Sequence, residues 1–193
     1  MYRITAPKCL ALGVAIIFLL PSNQSYSQEH SFQSVNFPDR FMRHRNFLLS
    51  IEPTTDELSA KDSVFVVIPG LAGQCHSFIP KNIAGGPTGF FVRHQNFRVK
   101  LSREAPDDKP FRQDATFCFR NPPFGDRQAR ENAFAFESLN FPNHFIRHRD
   151  FELLVTQNDG SDQFKKDATF ISVGPRRPPV RIDEGTNLNP VRE

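Results

Sequence analysis

One segment occurs three times in this chain, and this repetition constrains the fold more than any other feature. The copies share "FMRHRNF" at 41–47, "FVRHQNF" at 91–97 and "FIRHRDF" at 145–151. In each copy an aspartate follows the histidine, at a separation of 18, 20 or 19 residues. Successive histidines lie 50 and 54 residues apart. A period of this length predicts an architecture in which three similar units share one core.

The pattern within each copy indicates four short β-strands, or about twelve in all. "SFQSVN" at 31–36 and "AFESLN" at 135–140 alternate as half-buried strands do, and Pro38 or Pro142 then turns the chain. No stretch shows sustained helical periodicity, so we expect few helices. We therefore predict an all-β fold, a β-trefoil of three four-stranded repeats, closed so that no sheet edge is exposed. The repeats lie at about 31–73, 76–120 and 134–173.

Phenylalanine occupies corresponding positions of the three copies and predicts a shared core. These candidate core residues are Phe32, Phe65, Phe78, Phe117, Phe136 and Phe170. A fully buried phenylalanine stabilises a fold by about 1.5–3 kcal/mol and has no polar atom to satisfy.

The first 27 residues have the pattern of a secretory signal peptide. Arg3 and Lys8 precede the apolar run 9–20, and the small residues Ser25 and Ser27 make cleavage before Gln28 plausible. The apolar run is short for a membrane span, which needs about 20 residues, although an uncleaved anchor is the alternative. We expect a secreted, extracellular protein, with residues 28–173 forming the domain and no membrane association after removal of the leader.

The charge of the remaining chain argues against a nucleic-acid partner. Without Arg3 and Lys8 it holds 22 basic and 21 acidic residues. Binding of nucleic acid would require a concentrated basic face. Both tyrosines also fall within the leader, and the chain has no tryptophan, so the aromatic residues beyond it are all phenylalanine.

Three further features complete the organisation of the chain. Cys75 and Cys118 are an even pair in an exported chain, which favours a disulfide over two buried free thiols. The segment 121–133 is a polar insertion that we expect to form a surface loop. The tail at 174–193 is rich in proline and charge, and we predict that it is disordered.

The recurring histidine and aspartate are the candidate site residues. The pairs are His44 with Asp62, His94 with Asp114, and His148 with Asp167. A carboxylate accepts hydrogen bonds from two vicinal hydroxyls and an imidazole bonds to the next, which suits a sugar. The alternative is structural: each aspartate, at the start of a strand, fixes a turn, and the histidine or the preceding arginine satisfies it. Repetition alone does not choose between these readings.

The sequence resembles a known family at these residues. "NFPDRFMRHRNFLL", "FVRHQNFRV", "FRQDATF" and "ESLNFPNHFIRHRDFEL" with "FKKDATF" are similar to the arabinose-binding domain of fungal alpha-L-arabinofuranosidase B, carbohydrate-binding module family 42. The similarity extends over about residues 31–173. It implies a β-trefoil that binds arabinofuranose side chains of arabinoxylan and arabinan, with one histidine and one aspartate in each pocket. It also implies the disulfide between Cys75 and Cys118.

The departures from the family pattern indicate which of the three pockets are the better candidates for carbohydrate binding. Phenylalanine stands at 41, 91 and 145, where the family often has tyrosine, and the first copy reads "DSVF" in place of "DATF". The family's first subdomain tends to be silent. The resemblance therefore favours His94, Asp114, His148 and Asp167 over His44 and Asp62 as the carbohydrate-binding residues.

Two other functions are weighed against sugar binding. A glycosidase needs two carboxylates about 5–9.5 Å apart around one bond, whereas the repeats place their aspartates in different pockets. A protein-interaction or inhibitor scaffold would need only one divergent loop, for which 121–133 is the candidate. We expect no catalytic residues, no cofactor and no metal site, because no ligands cluster at short spacing. The expected partner is an arabinofuranose-containing polysaccharide, bound by a monomer that acts alone or beside a glycoside hydrolase.

Overall fold

The structure, a computed structural model, describes residues 28–83 and 89–177. The predicted signal peptide (1–27), residues 84–88 of the second copy and most of the predicted disordered tail (178–193) lie outside these ranges.

The described residues contain twelve strands, three short α-helices and one turn of 3-10 helix at Pro123–Gly125. The strands are β1 (Gln28–Ser34), β2 (Arg40–Arg45), β3 (Leu48–Pro53), β4 (Phe65–Pro69), β5 (His76–Pro80), β6 (Phe90–Gln95), β7 (Arg98–Arg103), β8 (Phe117–Arg120), β9 (Ala133–Ser138), β10 (His144–Arg149), β11 (Glu152–Gln157) and β12 (Phe170–Val173). The helices are α1 (Glu57–Asp62), α2 (Lys109–Asp114) and α3 (Asp162–Asp167).

All described strands join one antiparallel sheet that closes on itself. Strand β1 pairs with β12, β12 with β9, β9 with β8, β8 with β5, β5 with β4, and β4 again with β1. The hairpins β2–β3, β6–β7 and β10–β11 continue this sheet, and their second strands pair with one another. Closure satisfies the backbone groups that an open edge would expose.

The prediction of a β-trefoil made of three four-stranded repeats is wrong. The strands form a closed, all-β antiparallel barrel in which strands of different copies also pair with one another. The first strand of each copy pairs along its length with the last strand of the preceding copy, as β5 does with β4 and β9 with β8. Hydrogen bonding therefore crosses the boundaries that the sequence repeat suggests.

Each copy also contains a helix where the sequence predicted the beginning of a strand. A side chain caps each helix at its N-terminus: Asp56, Asp108 and Ser161 accept from backbone N–H groups of the first turn. The helices are six residues long. The candidate aspartates end these helices and do not open the following strands, so the prediction that Asp167 begins a strand is wrong.

The predicted phenylalanine core is confirmed. All six candidate phenylalanines are at most 1% exposed, and they pack with aliphatic residues from the three hairpins in one cluster. Phe32 lies near the centre, with ring centroids 5.5 Å from Phe78 and 5.1 Å from Phe136, both edge to face. The predicted disulfide is also present, joining Cys75 to Cys118.

The three hairpin turns interlock. The turns at Phe47, Phe97 and Phe151 have positive φ at the phenylalanine and at the residue before it, which matches the strand twist of a tight hairpin. The carbonyl of Phe47 accepts from the N–H of Leu101, that of Phe97 from Val155, and that of Phe151 from Ile51. Each hairpin is therefore fixed by the next in a ring of three.

The segments that join the copies cover small clusters outside the main core. In the insertion 121–133, Phe124 lies against Phe145 and Phe164, with centroids 4.9 and 5.9 Å away. The insertion is therefore anchored to the barrel, which goes beyond the predicted surface loop. After β12, the guanidinium of Arg176 lies 4.4 Å above the ring of Phe41.

Among the described residues, no helix is long and apolar enough to cross a membrane.

Candidate functional site

The structure brings each predicted histidine and aspartate together and adds two residues to each pair. Site 1 consists of Arg43, His44, Asp62 and Asn82; site 2 of Arg93, His94, Asp114 and Asn140; site 3 of Arg147, His148, Asp167 and Asn36. The arginine and histidine are neighbours on the second strand of a copy, and the aspartate ends its helix. All six predicted site residues thus lie in clusters of the same composition.

The two oxygens of each aspartate have different partners. Oδ2 accepts from the arginine Nη2, at 3.0 Å from Arg43, 2.5 Å from Arg93 and 2.5 Å from Arg147. Oδ1 accepts from the asparagine amide at 2.5, 2.7 and 2.7 Å in sites 1, 2 and 3. Hydrogen bonds between charged groups are short and strong, so the carboxylates are firmly oriented.

The asparagine of each site comes from the following copy. Asn82 completes site 1, Asn140 completes site 2, and Asn36 of the first copy completes site 3. Each asparagine lies just after the first strand of its copy, and that strand pairs with the preceding copy. The exchange of strands across copy boundaries is therefore what assembles the sites.

The asparagine also bridges to the histidine. His Nε2 lies 2.8 Å from Asn82 Oδ1, 3.1 Å from Asn140 Oδ1 and 2.8 Å from Asn36 Oδ1. An amide oxygen only accepts, so Nε2–H is the donor. The asparagine amide thus accepts a hydrogen bond from the imidazole and donates one to the carboxylate. A single hydroxyl group in the same place could make both of these bonds.

Burial keeps two of the imidazoles neutral. It lowers the pKa of His94 and of His148 below the usual 6.5, although Asp114 and Asp167 act in the opposite direction. At neutral pH these rings therefore carry no charge, and each presents one N–H donor.

Site 2 has the most accessible carboxylate. The Asp114 side chain is 15% exposed, against 9% for Asp62 and 4% for Asp167. Phe141 packs edge to face on His94 with centroids 5.3 Å apart, and Phe97 lies 5.1 Å from Phe141. Phe97 is itself 43% exposed. The site is therefore a polar cluster beside an exposed aromatic pair.

Site 3 repeats this arrangement with one more hydrogen bond. Phe37 lies 5.3 Å from His148 and 5.3 Å from Phe151, matching the aromatic pair of site 2. Gln163 Nε2 donates to Oδ1 of Asp167 at 2.7 Å. The Gln163 side chain is exposed, so a ligand hydroxyl has room to replace it.

Site 1 lacks several of these neighbours. Pro80 stands where site 2 has Ser138, whose hydroxyl donates to Asn140 at 2.9 Å. Ile83 stands where site 2 has Phe141. Arg43 is shared between Asp62 and a second carboxylate, Glu52, at 3.2 Å. The cluster of site 1 is thus intact, but its surroundings offer less to a ligand.

Sequence reasoning named the arginines as partners of the aspartates only in its structural alternative, and it missed the asparagines altogether. The arginine precedes the histidine in every copy, and neighbouring side chains of a regular strand point to opposite faces. Instead, Arg147 and His148 are both buried and both reach Asp167, at 2.5 and 3.4 Å. The signal for the asparagines was the recurring "NFP" at 36–38 and 140–142, which we interpreted only as a turn.

Comparison with known proteins assigns the family. A sequence profile of the alpha-L-arabinofuranosidase B (ABFB) domain matches residues 20–67, 30–128 and 128–177. These matches extend over most of the chain. The chain belongs to the ABFB domain family. It is therefore an arabinofuranosidase-associated domain, and the resemblance found in the sequence is confirmed.

The relatives of this ABFB domain are much longer proteins. Alpha-L-arabinofuranosidase B of Aspergillus niger is 45% identical over 60 residues, which are 31% of this chain and 11% of the relative. Alpha-L-arabinofuranosidase B of Aspergillus kawachii is 52% identical over 42 residues, which are 22% of this chain and 8% of the relative. The chain thus matches about a tenth of the length of these enzymes.

Solved structures show the same fold for the ABFB domain. An arabinofuranosidase crystallised with arabinofuranosyl-alpha-1,2-xylobiose superposes with a TM-score of 0.63 at 21% identity, covering 77% of this chain and 31% of the other. A GH54 a-l-arabinofuranosidase soaked with a cyclic sulfate inhibitor gives 0.64 at 23% identity, covering 80% and 32%. In the part of the ABFB domain that the structure describes, no three histidine, cysteine or acidic side chains group as metal ligands would.

Proposed function

We propose that this domain is a non-catalytic carbohydrate-binding module that recognises L-arabinofuranose side chains of plant polysaccharides. Site 2 is its best-formed pocket, and site 3 is the second. The observation that carries the proposal is the accessible carboxylate of Asp114, oriented by Arg93 and Asn140 next to the exposed ring of Phe97. The family and the enzymes that carry this domain support the same ligand class.

The carboxylate of Asp114 has acceptor capacity to spare. It accepts two hydrogen bonds from the described residues, whereas an ionised carboxylate offers about four acceptor positions. Two vicinal hydroxyls of a furanose ring would take the remaining positions. A hydrogen bond to a charged group contributes about 1.5–3 kcal/mol. The apolar face of the ring would lie against Phe97 and Phe141.

The aromatic side chains favour a branch sugar over a flat polymer surface. Phe97 and Phe151 are separate rings at two hairpin turns, each beside its own polar cluster. A single small-sugar site has a dissociation constant of about 0.1–1 mM. Two such sites on one branched polysaccharide raise the overall affinity through multivalency without any new contact.

A binding role fits the site better than hydrolysis does. Glycoside hydrolysis requires one carboxylic acid and one carboxylate on either side of the same bond. In sites 2 and 3 the imidazole faces a single carboxylate, which an arginine holds in an ion pair. We infer that any hydrolysis of the bound polymer is carried out by a partner glycoside hydrolase.

We also infer that the protein acts outside the cell. The leader pattern at 1–27 and the disulfide between Cys75 and Cys118 support this location, because disulfides persist in oxidising compartments. An insoluble or high-molecular-weight plant polysaccharide is accessible only there.

The decisive experiment compares matched substitutions in two copies. Asp114→Ala and Asp62→Ala each remove a carboxylate that an arginine and an asparagine hold, so both should lower the melting temperature. The decrease should be smaller for Asp62→Ala, because Arg43 keeps its ion pair with Glu52. We expect Asp114→Ala to weaken retention on arabinoxylan in affinity electrophoresis at least tenfold, and Asp62→Ala to change it less than twofold. Debranched xylan serves as the polymer control.

Two results would contradict the proposal. Equal retention of the unmodified domain on arabinoxylan and debranched xylan would show that arabinose is not the ligand. Release of nitrophenol from an aryl arabinofuranoside by the purified domain, abolished by Asp114→Ala, would show that the site is catalytic.

A further inference from the structure

A cleft of about 520 Å³, lined by several charged residues, opens beside site 3 at the hairpin end of the barrel. Its walls are the hairpin β2–β3 and the turn that precedes β11, and Arg40 and Phe151 form the boundary toward site 3. Phe151 touches Phe37, and Phe37 touches His148. A ligand in site 3 that was large enough to pass over Phe151 would reach this cleft.

The charges in the cleft are balanced. Three guanidinium groups and three carboxylates line it: Arg40, Arg45, Arg98, Glu52, Asp150 and Glu152. Two ion pairs account for four of these groups, Arg45 with Glu52 at 3.3 Å and Arg98 with Glu152 at 3.6 Å. Within 28–83 and 89–177, Arg40 and Asp150 form no ion pair with a side chain.

Arg40 and Asp150 both line the cleft next to the ring of Phe151. The guanidinium of Arg40 lies 3.9 Å above the centroid of Phe151, and Asp150 directly precedes Phe151 in the hairpin turn. This places a strong donor and a strong acceptor together at the rim of site 3. A neutral ring with several hydroxyls uses both groups, whereas an anion would be repelled by Asp150 and a cation by Arg40.

We propose that this cleft is a subsite for the neutral backbone sugar to which the arabinofuranose in site 3 is attached. The proposal rests on arabinofuranose binding at site 3. Contacts in the cleft would make site 3 selective for a branched oligosaccharide over the free monosaccharide. A volume of this size is within the range of small-molecule pockets and is sufficient for one or two sugar rings.

The other copies do not have this pair of charges. The positions that correspond to Arg40 are Phe90 at site 1 and His144 at site 2, and each packs on the exposed phenylalanine of its turn, at 5.2 Å from Phe47 and 6.1 Å from Phe97. The positions that correspond to Asp150 are Asn46 and Asn96. Backbone recognition of this kind is therefore expected at one site of the three.

The other copies show which residues the fold already holds at the equivalent positions, and these residues guide the choice of substitutions. Arg40→Phe introduces the residue that covers the equivalent ring in the second copy, and Asp150→Asn introduces the residue found at both equivalent turns. Asparagine also suits the positive φ of 51° at position 150. Arg149→Gln is the charge control, because Arg149 is an exposed cation of the same hairpin outside the cleft lining.

The test uses the full domain with site 2 disabled by Asp114→Ala. Binding of methyl α-L-arabinofuranoside and of xylotriose with one arabinofuranosyl branch is measured by calorimetry or NMR titration. We expect the branched ligand to bind about tenfold more tightly than the methyl glycoside. Arg40→Phe with Asp150→Asn should reduce this preference to less than about threefold and leave the methyl glycoside within about twofold, whereas Arg149→Gln should change neither.

The results separate this inference from the proposed function. Equal affinity for the two ligands before the double substitution would overturn the subsite and leave arabinofuranose binding intact. An equal loss for both ligands after the double substitution would overturn it as well, because Arg40 and Asp150 would then act on site 3 itself. If neither ligand bound even to the unmodified domain, both proposals would be wrong.

Discussion

Sites 1 and 2 contain the same arginine, histidine, aspartate and asparagine, yet they differ in the residues that the next copy places around them. At site 2 the third copy contributes Ser138 and Phe141, whereas at site 1 the second copy contributes Pro80 and Ile83. The charged cluster is thus a property of each copy joined to the next, and we expect ligand binding to depend on the surroundings. A repeated motif identifies where sites form without showing which of them bind.

Removal of the bridging asparagine should have the largest effect on ligand binding, and it should show a difference between site 2 and site 1. Asn140→Ala and Asn82→Ala each leave one carboxylate oxygen without its amide donor, and each should lower the free energy of unfolding by about 1–3 kcal/mol. Asn82→Ala also removes the acceptor of His44, whereas His94 keeps the Ser138 hydroxyl at 3.2 Å. We expect only Asn140→Ala to weaken arabinose binding, at least tenfold. Chemical denaturation and titration of each variant measure the two quantities. Equal loss of binding in both variants would mean that site 1 is also active.

Transfer of the site 2 surroundings to site 1 should produce a smaller gain. Pro80→Ser with Ile83→Phe supplies the hydroxyl and the aromatic ring that site 2 has. We expect retention on arabinoxylan to increase about threefold through a third functional site. The reverse change, Ser138→Pro with Phe141→Ile, is the matched control and should decrease retention. If the first double variant folds and its retention is unchanged, the difference between the sites lies elsewhere.

Acidification should destabilise the domain moderately. The pKa values of His94 and His148 are lowered in the folded state, so below pH 6.5 the unfolded chain takes up protons that the folded domain resists. The free energy of unfolding should therefore decrease as the pH drops from 6.5 toward the folded-state pKa values of His94 and His148. Above pH 6.5 these two groups should not change the stability. Thermal unfolding between pH 7.5 and 5 measures this. The double variant His94→Gln and His148→Gln should show a flatter profile between these pH values.

Release of the extra hydrogen bond in site 3 should have the smallest effect. Gln163→Ala removes an exposed donor from Asp167 and frees one acceptor position for a ligand hydroxyl. We expect the affinity of site 3 for methyl α-L-arabinofuranoside to rise about twofold, measured in the Asp114→Ala background. The corresponding residue of the second copy, Pro110, makes no such bond, which is consistent with the greater exposure of Asp114. A fall in affinity would show that Gln163 itself contacts the sugar.

The sequence predicted the phenylalanine core and the three histidine–aspartate pairs, because each depends on a residue that recurs in every copy. It predicted the disulfide because Cys75 and Cys118 are an even pair in a chain with a leader pattern. It did not predict the helices that end at Asp62, Asp114 and Asp167, since six residues are fewer than two turns and show no periodicity. It also did not predict how strands pair between copies, and that pairing changes the β-trefoil prediction into one continuous barrel. The asparagines were missed for the same reason, because their partners are 20, 26 and 131 residues away.

Asn36 near the beginning of the domain completes the cluster of Asp167 near its end. The copies therefore form a cycle with no first or last member, and no single copy carries a whole binding unit. A chain shortened by its N-terminal strand would lose the C-terminal site first, although that site's own copy would be intact. Conversely, a circular permutant that began at the second copy would retain every cluster, since the cycle has only been opened at a different place.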